Sequence, residues 1–312
     1  MYGRVAAIVP TYNRKDLLIE CIDGLLRQTV PVARVVVVDN ASTDGTVGSL
    51  RERYAGNPAV EVHALPENTG ASGGFHEAGR IALAGECDWV WYTDDDSEPK
   101  PDALEVLLRT ADDLRAKGIP VAAVTSLKVG RDGVVQHKHT GRFTWRMVPL
   151  KPRECRGVVR VDYSSFTGTL IARYALEERG LNTPEYYLWG DDIEFSLRIG
   201  QSGGIFLVAG SVVLHKDLAS EPGETFKAAN IWRYYFGIRN WVLLAGVHRG
   251  RWTFPLIYLA CLYFIASNWT GFERKRQSAR LILKAFRDGA ANDLSDPVTQ
   301  DRWKEMLGGT PF

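Results

Sequence analysis

Three adjacent carboxylates, Asp94, Asp95 and Asp96, directly follow an apolar segment and are the residues of this chain best suited to chemistry. Residues 90–93 have the pattern of a buried strand, and Pro99 would prevent that strand from continuing. Charge is therefore concentrated at the carboxyl end of a strand, where open α/β sheets bind their ligands. Because three neighbouring anions repel, the group predicts a divalent cation site, with a solvated acidic turn as the alternative.

A second acidic pair, Asp191 and Asp192, follows the aromatic residues Tyr187 and Trp189 at the predicted start of an amphipathic helix. Favourable interaction with the helix dipole is one interpretation of the pair. Aromatic rings beside a doubled carboxylate also favour a sugar-stacking platform next to a general base, since an ionised carboxylate can accept a hydroxyl proton. His215 ends another apolar strand, and together with aspartate it suits Mn²⁺ or Mg²⁺.

Polar residues also follow the first two predicted strands, which cover residues 5–9 and 35–38. The first strand is followed by Pro10, Thr11, Asn13 and Arg14. These side chains suit hydrogen bonding to a base or ribose, and Asp39 after the second strand could accept from a pyrimidine imide or a ribose hydroxyl. Taken alone, Asn13 and Asp39 could equally be helix caps.

The elements that position these residues alternate between short apolar strands and amphipathic helices, which predicts a mostly parallel sheet covered on both faces. The first turn has neither a Gly-x-Gly-x-x-Gly pattern nor a Walker lysine, so the layout is not of the dinucleotide type. Further strands are predicted at residues 60–65, 121–125, 158–163, 169–172, 205–208 and 212–214. Residues 128–156 are predicted to form long loops or a hairpin. His137 and His139 are predicted to be exposed loop residues, with a metal-binding pair as the alternative.

Composition excludes several classes of function. The chain has 312 residues and a net charge of +1, which argues against bulk electrostatic binding of nucleic acid. Its 4 cysteines are widely spaced, so neither a zinc cluster nor a disulfide framework is predicted, and a reducing compartment is expected. Because residues 1–5 lead straight into a strand, no export signal is expected.

Composition changes after a predicted linker at residues 216–223. Residues 252–269 carry no charge, and basic residues flank them on both sides. Three interpretations compete: a buried core helix, a helix that spans the bilayer, and an interfacial hairpin on anionic lipid. Pro255 and the basic flanks weaken the spanning interpretation, so interfacial or partly buried helices are favoured.

Together these features resemble the family 2 inverting glycosyltransferases of the GT-A fold. Six motifs carry the resemblance, in the order of that family: residues 9–14, residues 38–45, residues 68–74, Asp94–Asp96, Asp191–Asp192 and His215. The resemblance implies an α/β GT-A catalytic domain over residues 1–217. Residues 218–312 would be a helical, membrane-associating region.

The resemblance also implies roles for individual residues. The nucleotide of a UDP-sugar donor would be held by Pro10, Thr11, Asn13, Arg14, Asp39, Asn68, Asp94 and Asp95. A Mn²⁺ or Mg²⁺ ion would be bound by Asp94, Asp96 and His215. Asp192 would be the catalytic base and Asp191 would orient the acceptor. Tyr187 and Trp189 would contact that acceptor.

Further features resemble one subfamily, the galactofuranosyltransferases of actinobacterial cell-wall galactan, especially the shorter type of enzyme that begins the galactan. These features are the full aspartate triplet, residues 189–192 and residues 234–240. They imply UDP-galactofuranose as donor, a polyprenyl-diphospho-GlcNAc-rhamnose acceptor and a peripheral location on the cytoplasmic face of the plasma membrane. A rhamnosyltransferase using dTDP-rhamnose, a catalytically silent GT-A module and a nucleotidyltransferase are the alternatives, and a homo-oligomer is left open.

Overall fold

The computed structural model describes residues 2–144, 147–216, 230–295 and 297–306. Most of the predicted linker at residues 216–223 therefore lies outside the described residues. The chain divides into two compact units. Unit 1 is Met1–Pro184 together with Asp192–Asp217, and unit 2 is Glu185–Asp191 together with Leu218–Phe312.

The strands are β1 (Val5–Thr11), β2 (Arg34–Asp39), β3 (Val60–Ala64), β4 (Trp89–Tyr92), β5 (Ser97–Pro99), β6 (Val121–Val129), β7 (Thr140–Phe143), β8 (Met147–Pro149), β9 (Val158–Val161), β10 (Tyr163–Ser164), β11 (Thr169–Ala172) and β12 (Gly204–His215). The helices of unit 1 are α1 (Lys15–Leu26), α2 (Thr46–Arg53), α3 (Gly70–Ala84), α4 (Ala103–Ala116), α5 (Arg173–Arg179) and α6 (Asp191–Ile199), whose first residue belongs to unit 2. Unit 2 contains α7 (Trp232–Arg249), α8 (Phe254–Ser267), α9 (Lys275–Ala291) and α10 (Gln300–Met306).

The main sheet of unit 1 has the strand order β3-β2-β1-β4-β11-β6-β12-β5, and β9 also pairs with β12. The pairs β1·β2, β2·β3, β1·β4 and β6·β12 are parallel, whereas β11 lies antiparallel between β4 and β6. The predicted α/β class with a mostly parallel central sheet is confirmed. The carboxyl ends of β1, β2 and β4 meet at one edge of this sheet, because these strands run in the same direction.

Alternate residues of the central strands supply two apolar cores, one on each face of the sheet. Val9, Val37 and Trp91 pack with apolar side chains of α1 and α4. Ile8 and Tyr92, their neighbours in sequence, pack on the opposite face with α3, α5 and α6. Period-two alternation therefore buries both faces, which is why the strands read as continuous apolar segments.

Three local predictions are corrected by the structure. Strand β6 extends to Val129, so residue 128 is in a strand and not in a loop. The predicted strands at residues 205–208 and 212–214 form one strand, β12, whose register shifts between Val208 and Val212. Asn13 is not the cap of α1, because its side-chain oxygen accepts the backbone N–H of Thr43 at 2.7 Å.

Unit 2 has its own apolar core, formed by α7, α9 and α10 with residues of the segment before α6. Its buried members include Tyr235, Phe236, Leu281, Ile282 and Trp303. Helix α8 differs from its neighbours, since Cys261 is its only buried residue. Among the described residues, no helix combines the length and the apolar character that crossing a bilayer requires.

Candidate active site

The aspartate triplet lies between β4 and β5, where the main sheet ends. Asp95 and Asp96 are each 6% exposed. The hydroxyl of Thr167 donates a hydrogen bond to Asp94. Carboxylates at this depth require neutralising partners, because desolvation disfavours their charged form. The alternative interpretation of the triplet as a solvated acidic turn is therefore wrong.

The structure brings Asp94, Asp96 and His215 together. One ligand atom from each residue lies within 4.8 Å of the others. His215 reaches this group because β12 pairs antiparallel with β5, which places His215 opposite Ser97. Its Nε2 is 3.3 Å from Oδ1 of Asp96.

Gln136 holds the imidazole of His215 in one orientation. Oε1 of Gln136 lies 2.7 Å from Nδ1 of His215, and the amide Nε2 of Gln136 donates to the backbone carbonyl of His215 at 3.4 Å. An amide oxygen can only accept, so Nδ1 carries the proton of this contact, and Nε2 faces the carboxylate of Asp96. This is the arrangement expected of a metal-binding histidine.

His139 packs edge-on against the ring of His215, with ring centroids 5.0 Å apart. Burial lowers the pKa of His139 to about 4. The prediction of His139 as an exposed loop residue is therefore wrong.

The donor set of the group fits a divalent cation of the Mn²⁺ or Mg²⁺ type. Two carboxylates and one imidazole are suitable ligands for such ions, and Oδ1 of Asp96 is buried with no hydrogen-bond partner in the part of the chain that the structure describes. Burial and the charge of Asp96 raise the pKa of Asp94. Burial acts in the same direction on Asp96, but its contact with His215 and the charge of Arg14 outweigh burial and lower the pKa of Asp96. A bound cation would relieve the repulsion between the two carboxylates.

Arg14 joins the turn after β1 to the aspartate triplet. Its Nη1 lies 3.2 Å from Oδ1 of Asp95 and 2.9 Å from Oδ2 of Asp96. The hydroxyl of Thr11 donates to the other oxygen of Asp95 at 2.7 Å. Burial raises the pKa of Asp95 to about 6. Two of the predicted nucleotide-binding residues, Thr11 and Arg14, therefore both contact a third, Asp95.

The remaining predicted nucleotide-binding residues lie around the ends of β1 and β2. Oδ2 of Asp39 accepts the backbone N–H of Ser42 at 2.9 Å, whereas its Oδ1 is buried and, among the described residues, has no hydrogen-bond partner. Asn68 accepts the backbone N–H of Gly70 at 2.8 Å at the start of α3. Pro10 packs against Gly74, where a Cβ would approach the proline ring to 2.7 Å. Gly74 therefore allows α3 to pack closely against β1 at this position. The Oδ1 atom of Asp39 remains available to accept a hydrogen bond.

Asp192 lies in the first turn of α6, as the two acids were predicted to do. Its Oδ1 accepts the backbone N–H of Ile193 at 2.8 Å. Sequence reasoning gave no indication of Lys128, a buried lysine whose pKa is affected by the charge of Asp192. Lys128, fully enclosed in unit 1, donates to the hydroxyls of Thr125 and Ser164 at 2.7 Å each.

Burial lowers the pKa of Lys128 to about 7, although the charges of Asp94 and Asp192 act to raise it. The folded pKa lies below the unfolded value, so the unfolded chain binds more protons between about pH 7 and 10.5, and stability rises with pH across that window. Relative to Lys128→Met, the wild-type free energy of unfolding should increase by on the order of 2 kcal/mol between pH 7 and 9.5, measured by urea denaturation. A difference between wild type and Lys128→Met that does not change with pH would contradict the shifted pKa of Lys128. Lys117→Met, at an exposed position, is the control.

The predicted acceptor residues belong to unit 2. Tyr187 stacks on Phe236 with ring centroids 4.7 Å apart. Trp189 is 44% exposed and adopts φ 62°, and Asp191 is 6% exposed. The ring of Trp189 is therefore more accessible to solvent than the stacked ring of Tyr187.

The mostly parallel sheet with an Asp-Asp-His group at its edge defines a protein of the GT-A fold. Residues 6–180 match the family described as glycosyl transferase family 2. Because the match covers more than half of the 312 residues, the chain belongs to that family. The predicted fold and family are confirmed.

Two solved structures share this fold. GalNAc-T7 with UDP, GalNAc and Mn²⁺ is 19% identical, with a TM-score of 0.57 over 77% of this chain and 48% of that chain. The mannosyltransferase PcManGT from Pyrobaculum calidifontis, in complex with GDP-Man and Mn²⁺, is also 19% identical, with a TM-score of 0.54 over 95% of this chain and 88% of that chain. At these identities the likeness concerns the fold.

Curated relatives match parts of the chain. The galactofuranosyltransferase GlfT1 of Mycolicibacterium smegmatis is 26% identical over 207 residues, which are 64% of this chain and 66% of that protein. The chondroitin synthase of Pasteurella multocida is 28% identical over 130 residues, which are 41% of this chain and 13% of that protein. The chain thus spans only a small part of the longer relative.

Proposed function

We propose that this protein is a metal-dependent inverting glycosyltransferase that uses a nucleotide-sugar donor. The observation that carries the proposal is the convergence of Asp94, Asp96 and His215 at the edge of the sheet. Two proteins of the same fold were solved with a nucleotide and Mn²⁺, one with UDP and one with GDP-Man, which supports both the donor class and the metal.

The donor nucleotide is proposed to lie along the ends of β1 and β2. The unused, buried Oδ1 of Asp39 supports this placement, because a buried carboxylate oxygen favours an N–H or O–H donor from a ligand. Arg14, whose side chain is 49% exposed, can approach the diphosphate while it pairs with Asp95 and Asp96. The other proposed nucleotide contacts are Pro10, Thr11, Asn13, Asn68 and Asp94.

The proposed reaction is a single displacement at the anomeric carbon. Asp192 accepts the proton of the acceptor hydroxyl as that oxygen attacks, and Asp191 orients the acceptor. A bound Mn²⁺ or Mg²⁺ would supply charge stabilisation for the departing diphosphate. Because a diphosphate is a good leaving group, the chain does not require a general acid on that side.

We further propose that the donor is UDP-galactofuranose and the acceptor a polyprenyl-diphospho-GlcNAc-rhamnose lipid. The similarity to GlfT1 supports this choice, as do the complete aspartate triplet and the segments at residues 189–192 and 234–240. A rhamnosyltransferase that uses dTDP-rhamnose is the second candidate.

Product mass distinguishes these functions. The purified protein is incubated with Mn²⁺ and a synthetic lipid-diphospho-GlcNAc-rhamnose acceptor, with UDP-galactofuranose in one reaction and dTDP-rhamnose in another. A gain of hexose with the first donor alone is the expected result. A gain of deoxyhexose would move the protein to the rhamnosyltransferases. No gain with either donor would favour the silent GT-A module or a different acceptor.

The protein is also proposed to bind the cytoplasmic face of the plasma membrane peripherally, through α8 and its flanks. Large apolar residues there are exposed to solvent: Val247, Trp252, Leu256, Leu259, Tyr263 and Trp269. Basic residues flank the helix: Arg249, Arg251, Arg274, Lys275 and Arg276. An exposed apolar helix with basic flanks fits insertion at the surface of an anionic bilayer, to which the polyprenyl acceptor would also belong.

Replacing both Leu259 and Tyr263 by asparagine is expected to weaken binding to anionic phospholipid vesicles by at least about tenfold, because two side chains that are 60% and 74% exposed would no longer enter the apolar layer. Vesicle co-sedimentation measures the effect. Val134→Asn, which alters an equally exposed apolar residue of unit 1, is the matched control. Equal partitioning of the double variant and the control would exclude α8 as the membrane contact.

A further inference from the structure

The segment Tyr234–Asn240 contributes to the resemblance to galactofuranosyltransferases, but it has no role in the proposed reaction. It lies within the first three turns of α7, in unit 2. The same unit contains Glu185–Gly190, here called the acceptor loop, which carries Tyr187 and Trp189 and runs directly into Asp191 and Asp192. Side chains of this segment form hydrogen bonds and ring contacts with the loop.

Two fully buried polar residues of α7 bind the backbone of the acceptor loop. Nδ2 of Asn240 lies 3.0 Å from the carbonyl oxygen of Tyr186, 3.0 Å from that of Leu188 and 2.7 Å from that of Trp189. Nη2 of Arg239 donates to the carbonyl oxygens of Glu185 at 2.6 Å and Tyr186 at 3.2 Å. The loop is therefore anchored through its main chain, independently of its side chains.

Arg239 also determines which way the amide of Asn240 faces. Its Nε donates to Oδ1 of Asn240 at 3.0 Å, which leaves the Nδ2 donor directed at the loop. Both side chains have no solvent exposure. The pair thus works as one donor array, in which the guanidinium orients the amide and both bind carbonyl oxygens.

Aromatic contacts add a second layer to the anchor. Phe236 stacks on Tyr187, with an angle of 15° between the rings. Trp189 lies against Gly237, where a Cβ would come within 3.1 Å of the indole, and its ring meets Tyr234 edge-on at 6.2 Å. A Cβ at position 237 would therefore require the indole of Trp189 to shift by a few tenths of an ångström.

The anchored conformation is one that the loop would not favour by itself. Tyr187 and Trp189 have φ of 63° and 62°, in the left-handed region that residues with a side chain rarely adopt. Gly190 follows with φ 83°. Such a backbone persists only where its surroundings hold it, and strained segments of this kind cluster at functional sites.

We propose that Gly237, Arg239 and Asn240 are positioning residues, which hold the acceptor loop in the strained conformation that presents Trp189 to the sugar acceptor and leads into Asp192. The proposal rests on the proposed function for the identity of the ligand. Its structural part, the anchoring of the loop by α7, is independent of the donor and of the reaction.

Three variants test the proposal. Asn240→Ala removes the donor to three carbonyls, whereas Gly237→Ala shifts Trp189 slightly and keeps the hydrogen-bond donors of Arg239 and Asn240. Gly48→Ala is the control, since a Cβ at Gly48 in α2 meets nothing within 4 Å. Hydrogen–deuterium exchange of peptides covering residues 183–192 should become at least about tenfold faster in Asn240→Ala than in the control, because local opening controls exchange. Exchange in peptides from β1, β2 and β4 should not change.

Kinetics provides the second readout. Asn240→Ala and Gly237→Ala should raise the KM for the acceptor or lower kcat by at least about tenfold, while Mn²⁺-dependent binding of the nucleoside diphosphate stays within twofold of wild type. Unchanged exchange at residues 183–192, or an equal loss of nucleotide binding, would overturn the proposal. If no donor supports transfer, the proposed function fails, and the exchange experiment still decides whether α7 anchors the loop.

Discussion

Asp192→Asn should retain donor binding and lose nearly all turnover. A general base of this kind contributes about 10²–10⁴-fold to rate, and kcat should fall by that factor. Asparagine can accept the backbone N–H of Ile193, as the aspartate does at 2.8 Å, so the start of α6 should be preserved. What the amide lacks is the ability to take a proton at neutral pH. The measurement is steady-state transfer together with calorimetric binding of the donor nucleotide.

The matched control for Asp192→Asn is Asp113→Asn, which makes the same chemical change at an exposed position of α4. The control should have wild-type kcat and wild-type nucleotide affinity. Equal activity in Asp192→Asn and in the control would remove Asp192 from the role of base. A parallel loss of nucleotide binding and turnover would instead assign Asp192 to donor binding.

Asp96→Ala should abolish the dependence of donor affinity on metal. Removing even an outer-shell partner of a metal ligand typically costs 10–100-fold in affinity, so loss of a direct ligand should exceed about 100-fold. Asp96 also lies beside His215, with Nε2 to Oδ1 at 3.3 Å, so its loss would leave only Asp94 and His215 of the predicted ligands. Titration of Mn²⁺ followed by electron paramagnetic resonance measures the loss directly.

Asp112→Ala on the exposed face of α4 is the control for this experiment. It should bind Mn²⁺ and nucleotide as the wild type does, and EDTA should lower the nucleotide affinity of the control to that of Asp96→Ala. Wild-type Mn²⁺ affinity in Asp96→Ala would show that the Asp-Asp-His group is not the metal site.

Much of the fold followed from local patterns in the sequence. Buried strands read as apolar segments because both faces of the sheet are covered. Asp39 ends β2 and Asp94 lies shortly after β4, both at the ligand-binding edge. The mostly parallel sheet, the aspartate triplet and the acids at the start of α6 were therefore accessible from periodicity and residue type.

The residues that were missed depend on pairings between distant parts of the chain. Lys128 was placed in a loop because its neighbours lack periodicity, whereas pairing with β12 extends β6 to Val129. Gln136 has no local signature, since its function follows from contact with His215, 79 positions away. Asn13 has the residue type of a helix cap but bonds a neighbouring loop, which only the tertiary structure decides.

The role of the segment Tyr234–Asn240 was inaccessible for a similar reason. Its pattern predicts an aromatic, partly buried helix, which α7 is. The partners of Arg239 and Asn240 are main-chain carbonyl oxygens of the acceptor loop, and main-chain partners leave no trace in the identity of the residues that carry them.

The anomeric configuration of the product tests the central claim of a single displacement most directly. With whichever donor the product-mass experiment identifies, the new glycosidic linkage is examined by nuclear magnetic resonance. We predict inversion relative to the donor, so that an α-linked nucleotide sugar gives a β-linked product and a β-linked one an α-linked product, because an acceptor hydroxyl deprotonated by Asp192 attacks the face opposite the departing diphosphate. Retention of the donor configuration would contradict this account.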